Sequence, residues 1–139
     1  MTISVINTEG CPLAGANLAV MSILCTRPAS TADLPVPVPA KNCRLIHVEA
    51  ITTTVVATAD YVIDLELNAA SGSAIGTITI ATSGSAIGTI DTLVWANMTQ
   101  ANAQNLSYDD ANRDYINLEL NGNAAAGACM LYLFFEYDT

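Results

Sequence analysis

The sequence predicts an all-β chain: an antiparallel β-sandwich, residues 43–139, preceded by an N-terminal arm, residues 1–42. Three observations predict it. RLIHVEAITTTVVATA, from Arg44 on, is dense in Val, Ile and Thr, residues that suit a pleated, half-buried surface. DYVIDLELN alternates strictly, with Tyr61, Ile63, Leu65 and Leu67 on one face and Val62, Asp64, Glu66 and Asn68 on the other. That 180° period marks a half-buried strand. Finally, no strong amphipathic helix separates the strand-like segments, which argues against βαβ units and for a sandwich of six to eight short strands.

The elements follow in order. Ile3–Ile6 reads as a short strand, and Ala14–Ile23 as up to two helical turns within an apolar, small-residue zone. ADLPVPVPAKN carries Pro35, Pro37 and Pro39 at alternate positions. Each proline fixes φ and removes a donor, so this piece is expected to run extended, as a strap without ladder bonds. After the alternating strand come IGTITIAT and IGTIDTLVW, each opened by a glycine. MTQANAQNLSYDDANR reads as a long loop or a short helix. DYINLELN and ACMLYLFFEY close the chain as strands. The last is apolar on both faces, which places it near the middle of a sheet or against a neighbouring subunit.

Composition narrows the function. Charged residues are 12% of the 139, against about 25% in an average domain. A surface so poor in charge suits a protein that packs against other protein. The net charge is −9, and the four basic residues, Arg27, Lys41, Arg44 and Arg113, form no cluster. Nucleic-acid binding and attraction to an anionic membrane are therefore not expected. Leu13–Cys25 is too short and too rich in Gly, Asn and Ser to span a bilayer, and no basic residue precedes it as in an export signal. The expectation is a soluble chain made in the cytoplasm. Cys11, Cys25, Cys43 and Cys129 contain no CxxC pair, and they read as buried or interface thiols.

Chemistry-bearing motifs are weak. The octet SGSAIGTI occurs at 71–78 and again at 83–90. Neither copy has the helix or the Lys of a phosphate loop, so both are expected to be a turn feeding a strand, with the inner glycine at a bulge or close backbone approach. A looser echo, DYVIDLELNAASGSAIG against DYINLELNGNAAAGACM, suggests one strand–turn–strand unit used twice, at matched levels of two sheets. DDANRD starts a calcium-loop pattern but puts Tyr115 where Gly is needed and Asn121 where Glu is needed, and so reads as a solvated turn. His47 and Glu49 share a strand face and could pair, yet no nucleophile elbow accompanies them. No catalytic, cofactor or metal residue is assigned, and no enzyme is expected.

The Pro-rich LPVPVPA, the long EAITTTVVATADYVIDLEL, the IGTITI strand and the closing DYINLELNGNAAAGACMLYLFFEY together resemble the capsid decoration, or cement, proteins of tailed bacteriophages, over about residues 40–139. The resemblance implies a jelly-roll-like sandwich and a homotrimer on the outer surface of the virion. Its partners would be the major capsid protein, whose neighbouring subunits it locks together, and its own copies. Candidate interface residues are Leu13, Leu18, Val20, Ile23 and Leu24, the prolines Pro35, Pro37 and Pro39, and the terminal Phe135 and Tyr137. The competing expectation is a receptor- or carbohydrate-binding sandwich, which Trp95 and Tyr108 near loops would serve.

Overall fold

The computed structural model describes residues 3–7 (backbone only), 18–39, 42–70, 72–109 and 111–137. It is a sandwich of two five-stranded antiparallel sheets. The strands are β1 (Ile3–Asn7), β2 (Leu18–Thr26), β3 (Ala32–Pro37), β4 (Cys43–Thr54), β5 (Tyr61–Leu67), β6 (Ser73–Ile80), β7 (Ile90–Thr92), β8 (Val94–Trp95), β9 (Tyr115–Leu120) and β10 (Ala128–Tyr137). Sheet A runs β1-β2-β10-β4-β7 and sheet B runs β3-β9-β5-β6-β8. The inner four-strand orders, β2-β10-β4-β7 and β3-β9-β5-β6, are those of a jelly roll, to which β1 and β8 add edges. The long polar loop holds one 3-10 turn, Ala101–Ala103.

Period-2 patterning explains the layers. Met21, Ile23 and Cys25 of β2 and Leu131, Leu133 and Phe135 of β10 face inward and meet Ile63, Leu65, Ile116 and Leu118 of sheet B in one core. The apolar β10 is the central strand of sheet A, between β2 and β4. The register of β4 with β10 slips twice: at Thr53, where Ala128 pairs with Thr54 but Cys129 with Thr52, and near the start of β4, where Phe134 pairs with His47 but Phe135 with Leu45. At the second slip the extra residue, Ile46, forms a bulge, and burial moves from Cys43 and Leu45 to Val48, Ala50 and Thr52.

Four expectations need correction. Residues 18–37 are not an arm before the domain: β2 lies between β1 and β10, and β3 is an edge of sheet B. Helical turns do not form over Leu18–Ile23, because the alternate residues Ala19, Met21 and Ile23 are buried between two paired neighbours. The rest of that stretch lies outside the described residues.

The Pro-rich segment does make ladder bonds. Val38 N–H donates to Asp114 C=O (3.2 Å), so by the alternation of an antiparallel ladder residues 34 and 36 also point their N–H groups at β9. Pro35 and Pro37 occupy the intervening positions, where the N–H would face the open edge. The LPVPVP alternation thus keeps β3 paired on one side and strips donors from the other. This is one way an edge strand is kept from pairing further.

The two octets also diverge. The first lies largely in β6, with Gly76 opposite Leu65 beside a bulge at Ile75. The second is a loop of turns, with Gly84 at φ 93° and Gly88 at φ 90°, and β7 starts only at Ile90.

The LELN echo holds, but in a different place. β5 and β9 are neighbours in one sheet, paired antiparallel, with Leu65 opposite its own counterpart Leu118. Each closing asparagine caps the other strand. Asn68 N–H donates to Tyr115 C=O, and its Oδ1 accepts the Tyr115 N–H at 2.9 Å. Asn121 N–H donates to Val62 C=O, and its Oδ1 accepts the Val62 N–H at 2.8 Å. The repeat is a local two-fold written into the sequence.

Candidate protein-interaction surfaces

The two outer faces of the sandwich differ in chemistry. On sheet A, register aligns Leu24, Met130, Ile51 and Ile90 in one row, Ser22, Tyr132, Glu49 and Thr92 in the next, and Val20, Phe134 and His47 in a third. Most of these side chains are half-buried, so sheet A is apolar on both faces. Its charges are nearly balanced: Arg44 Nη2 donates to Glu136 Oε1 at 2.9 Å, and His47 Nε2 lies 3.2 Å from Glu49 Oε2. The His47 ring also packs on Phe134, with centroids 5.3 Å apart. The predicted His47–Glu49 pair therefore forms on an open sheet surface, where such pairs contribute about 0–1 kcal/mol.

On sheet B the corresponding row is Asp33, Glu119, Asp64 and Thr77. Like charges on adjacent strands destabilise a sheet. Two of the carboxylates are held by neutral donors: Thr77 Oγ1 donates to Asp64 Oδ1 (2.6 Å) and Asn117 Nδ2 to Asp33 Oδ1 (2.9 Å). Partial burial, and then the charges of Glu66, Asp33 and Asp64, push the Glu119 carboxyl above its ordinary value. A raised folded-state value means that the ionised Glu119 opposes folding above it. Stability contributed by this group therefore rises as pH falls from neutral through that value. Glu119→Gln is expected to raise the melting temperature at neutral pH, with the gain vanishing below the ordinary glutamate range. A melting-temperature profile from pH 3 to 8 checks it.

Of the interface candidates, Leu18, Val20 and Leu24 lie half-buried on the outer face of sheet A. Ile23 and Phe135 do not face a partner: both point inward and are fully buried in the chain's own core. Pro35 and Pro37 are exposed on the β3 edge, Pro39 is half-buried, and Tyr137 is half-buried against the core. Leu13 lies outside the described residues. Sequence reasoning missed Met130, Tyr132 and Phe134, although the two-faced apolarity of ACMLYLFFEY was the available signal.

The other motifs resolve into scaffold. Asp109 Oδ1 accepts the N–H groups of Ala111 and Asn112 (2.7 and 2.8 Å), and Asp114 Oδ2 accepts that of Ser107 (2.9 Å). These carboxylates hold a turn; Asp110 lies outside the described residues. Among the described residues no group of three or more His, Cys, Asp or Glu side chains is placed to hold a metal ion. Nor is any helix there long and apolar enough to cross a membrane. Trp95 and Tyr108 do not share a platform. Trp95 lines a cleft of about 230 Å³ with Asp64, Glu66 and Thr77, while Tyr108 stacks with Arg113, 5.7 Å from its ring.

Cys25, Cys43 and Cys129 are buried thiols. Cys25 and Cys129 face each other across β2 and β10. Two residues on, Arg27 N–H donates to Gly127 C=O (2.9 Å), which makes Cys25–Cys129 a hydrogen-bonded pair by ladder parity. Cβ atoms in such pairs are about 5.5 Å apart, wider than the roughly 3.5–4.5 Å a disulfide takes. The Cys25 thiol and then burial push Cys129 up, so it carries no thiolate at neutral pH. In a Cys11→Ser background the native protein is expected to be inert to a thiol reagent and to titrate fully once unfolded. Absorbance of the released chromophore reads both states.

No family model matches the chain, and no curated relative does. Among solved structures it is similar to the Bacillus endospore appendages, a family of disulfide-linked pili, at 14% identity. That likeness covers 99% of this chain and 90% of the other, with a TM-score of 0.48. It is also similar to a chain of infectious bursal disease virus Gx strain, at 10% identity over 98% of this chain and 42% of the other, with a TM-score of 0.22. Neither likeness carries a function to this chain.

Proposed function

We propose that the chain is a structural, non-catalytic module that docks through the outer face of sheet A onto the protein shell of a bacteriophage capsid, cementing neighbouring major capsid protein subunits. One observation carries the reading: Val20, Leu24, Met130, Tyr132 and Phe134 form an outward apolar face while the opposite face carries Asp33, Asp64 and Glu119. An apolar sheet face beside a nearly balanced set of charges fits protein, and an acidic face fits solvent. Completing the burial of five half-buried side chains is worth roughly 1 kcal/mol each. A homotrimer would engage several such sites at once, and effective concentration would multiply the gain.

The test uses particles. Capsids bearing the protein are expected to withstand heat that ruptures capsids lacking it, and adding the purified chain back restores the difference. Capsids equally stable with and without it would end the cement reading.

A further inference from the structure

The two asparagines that close the LELN repeat make the same cap but have different successors. Asn68 is followed by Ala69 and Asn121 by Gly122, and no other asparagine in the chain precedes a glycine. The fold imposes both letters. Asparagine is needed at 121 because its backbone N–H and its Oδ1 both pair with Val62. Glycine is needed at 122 because a Cβ there would run into the Ser30 carbonyl carbon and the Thr31 nitrogen, where the bend before β3 passes. Asparagine before glycine is also the pairing most open to attack on the side-chain amide, since no Cβ keeps the following nitrogen away from the amide carbon.

We infer that Asn121 is a latent deamidation site, held unreactive in the folded chain and released when this corner opens. In the reaction the Gly122 nitrogen, losing its proton, bonds to Asn121 Cγ. The Cγ–Nδ2 bond breaks, and Nδ2 takes up that proton to leave as ammonia. Water then adds to either carbonyl of the succinimide ring and cleaves its bond to nitrogen, leaving an aspartate or an isoaspartate. In the folded chain the reacting groups are all engaged. The Gly122 N–H donates to Thr31 Oγ1 (3.1 Å), Asn121 Oδ1 accepts the Val62 N–H (2.8 Å), and Nδ2 donates to the Asp60 C=O (3.3 Å). The Asn123 N–H, bonded to the Pro28 C=O at 2.9 Å, fixes the far side of the turn. Attack therefore waits on a local opening of this corner. The product does not restore it. A carboxylate at 121 has no donor for the Asp60 carbonyl, and an isoaspartate lengthens the backbone where β9 ends against β5. A chain that dwells in the open state is thus marked irreversibly, whether or not sheet A binds a capsid.

Peptide mapping by mass spectrometry tests it on the full chain, incubated in mildly alkaline buffer with and without guanidinium chloride. In the denaturant Asn121 is expected to lose its amide ahead of every other asparagine, Asn68 included. In the native chain the loss at Asn121 is expected to be at least about tenfold slower, the factor that an opening free energy of about 1.4 kcal/mol imposes. Thr31→Val, which removes the hydroxyl from an exposed side chain, is expected to speed the native loss and leave the denatured rate unchanged, while Thr31→Ser keeps the wild-type rate. A native rate equal to the denatured one, another asparagine leading in the denaturant, or a Thr31→Val variant as slow as the wild type would overturn the proposal.

Discussion

Gly76→Ala is expected to destabilise the protein by about 3 kcal/mol, whereas Gly88→Ala, the same letter in the same octet, costs about 1 kcal/mol. A methyl on Gly76 would run into the Val94 carbonyl oxygen and come within 2.9 Å of Leu93 Cδ1. The obstacle is backbone of β8, the strand that closes the sheet edge, so relief requires moving β8 off β6. At Gly88 a methyl meets nothing within 4 Å, and the cost is only that of holding an L-residue at φ +90°. Urea denaturation of the two variants beside the wild type reads the difference directly. Equal midpoints would mean that β8 does not lie against Gly76.

Arg27→Met is expected to cost a similar amount, about 3 kcal/mol, or roughly 10 °C in melting temperature for a domain of this size. Arg27 directly follows β2 and is 7% exposed. Its guanidinium donates to the carbonyls of Ala57 (3.3 Å), Ala59 (2.7 Å) and Asp60 (2.8 Å), and lies 5.5 Å from the centre of the Tyr61 ring. These carbonyls belong to the turn by which the chain leaves β4 in sheet A for β5 in sheet B. The arginine therefore pins a crossover between the two layers. Methionine keeps the packed stem but forfeits every charge-assisted bond and strands the carbonyls that accepted them. Arg27→Lys, with a single ammonium in place of a fork, falls between wild type and Met. Thermal unfolding followed by circular dichroism separates the three.

Neither feature could be read from the letters. A buried arginine bound only to carbonyls leaves no sequence trace, since every residue carries a carbonyl. The two octets show the same limit: local preference is identical, and the neighbour decides, β5 recruiting most of the first copy as a strand while β4 pairs with only the last residues of the second, from Gly88 to Ile90. The prolines of β3 were visible, but their consequence depended on which side of the strand each N–H faces, a matter of register with β9. The alternation of β5 and β9, by contrast, was readable because burial on one sheet face imposes a period no turn or helix shares. The two-sided apolarity of β10 likewise placed it at the centre of a sheet. For the interaction surface, the N-terminal apolar residues divided by parity. Val20 and Leu24 fall outward and Ile23 inward, a distinction that follows once β2 is a strand and not a helical arm.

The docking account rests most heavily on the outer face of sheet A, and co-sedimentation with capsids lacking a decoration protein tests it most directly. The wild-type chain is expected to pellet with the shells. A Val20→Ser, Leu24→Ser double variant, confirmed folded by its melting curve, is expected to stay in the supernatant. A wild type that remains in the supernatant, or a double variant that pellets as well as the wild type, would contradict the account.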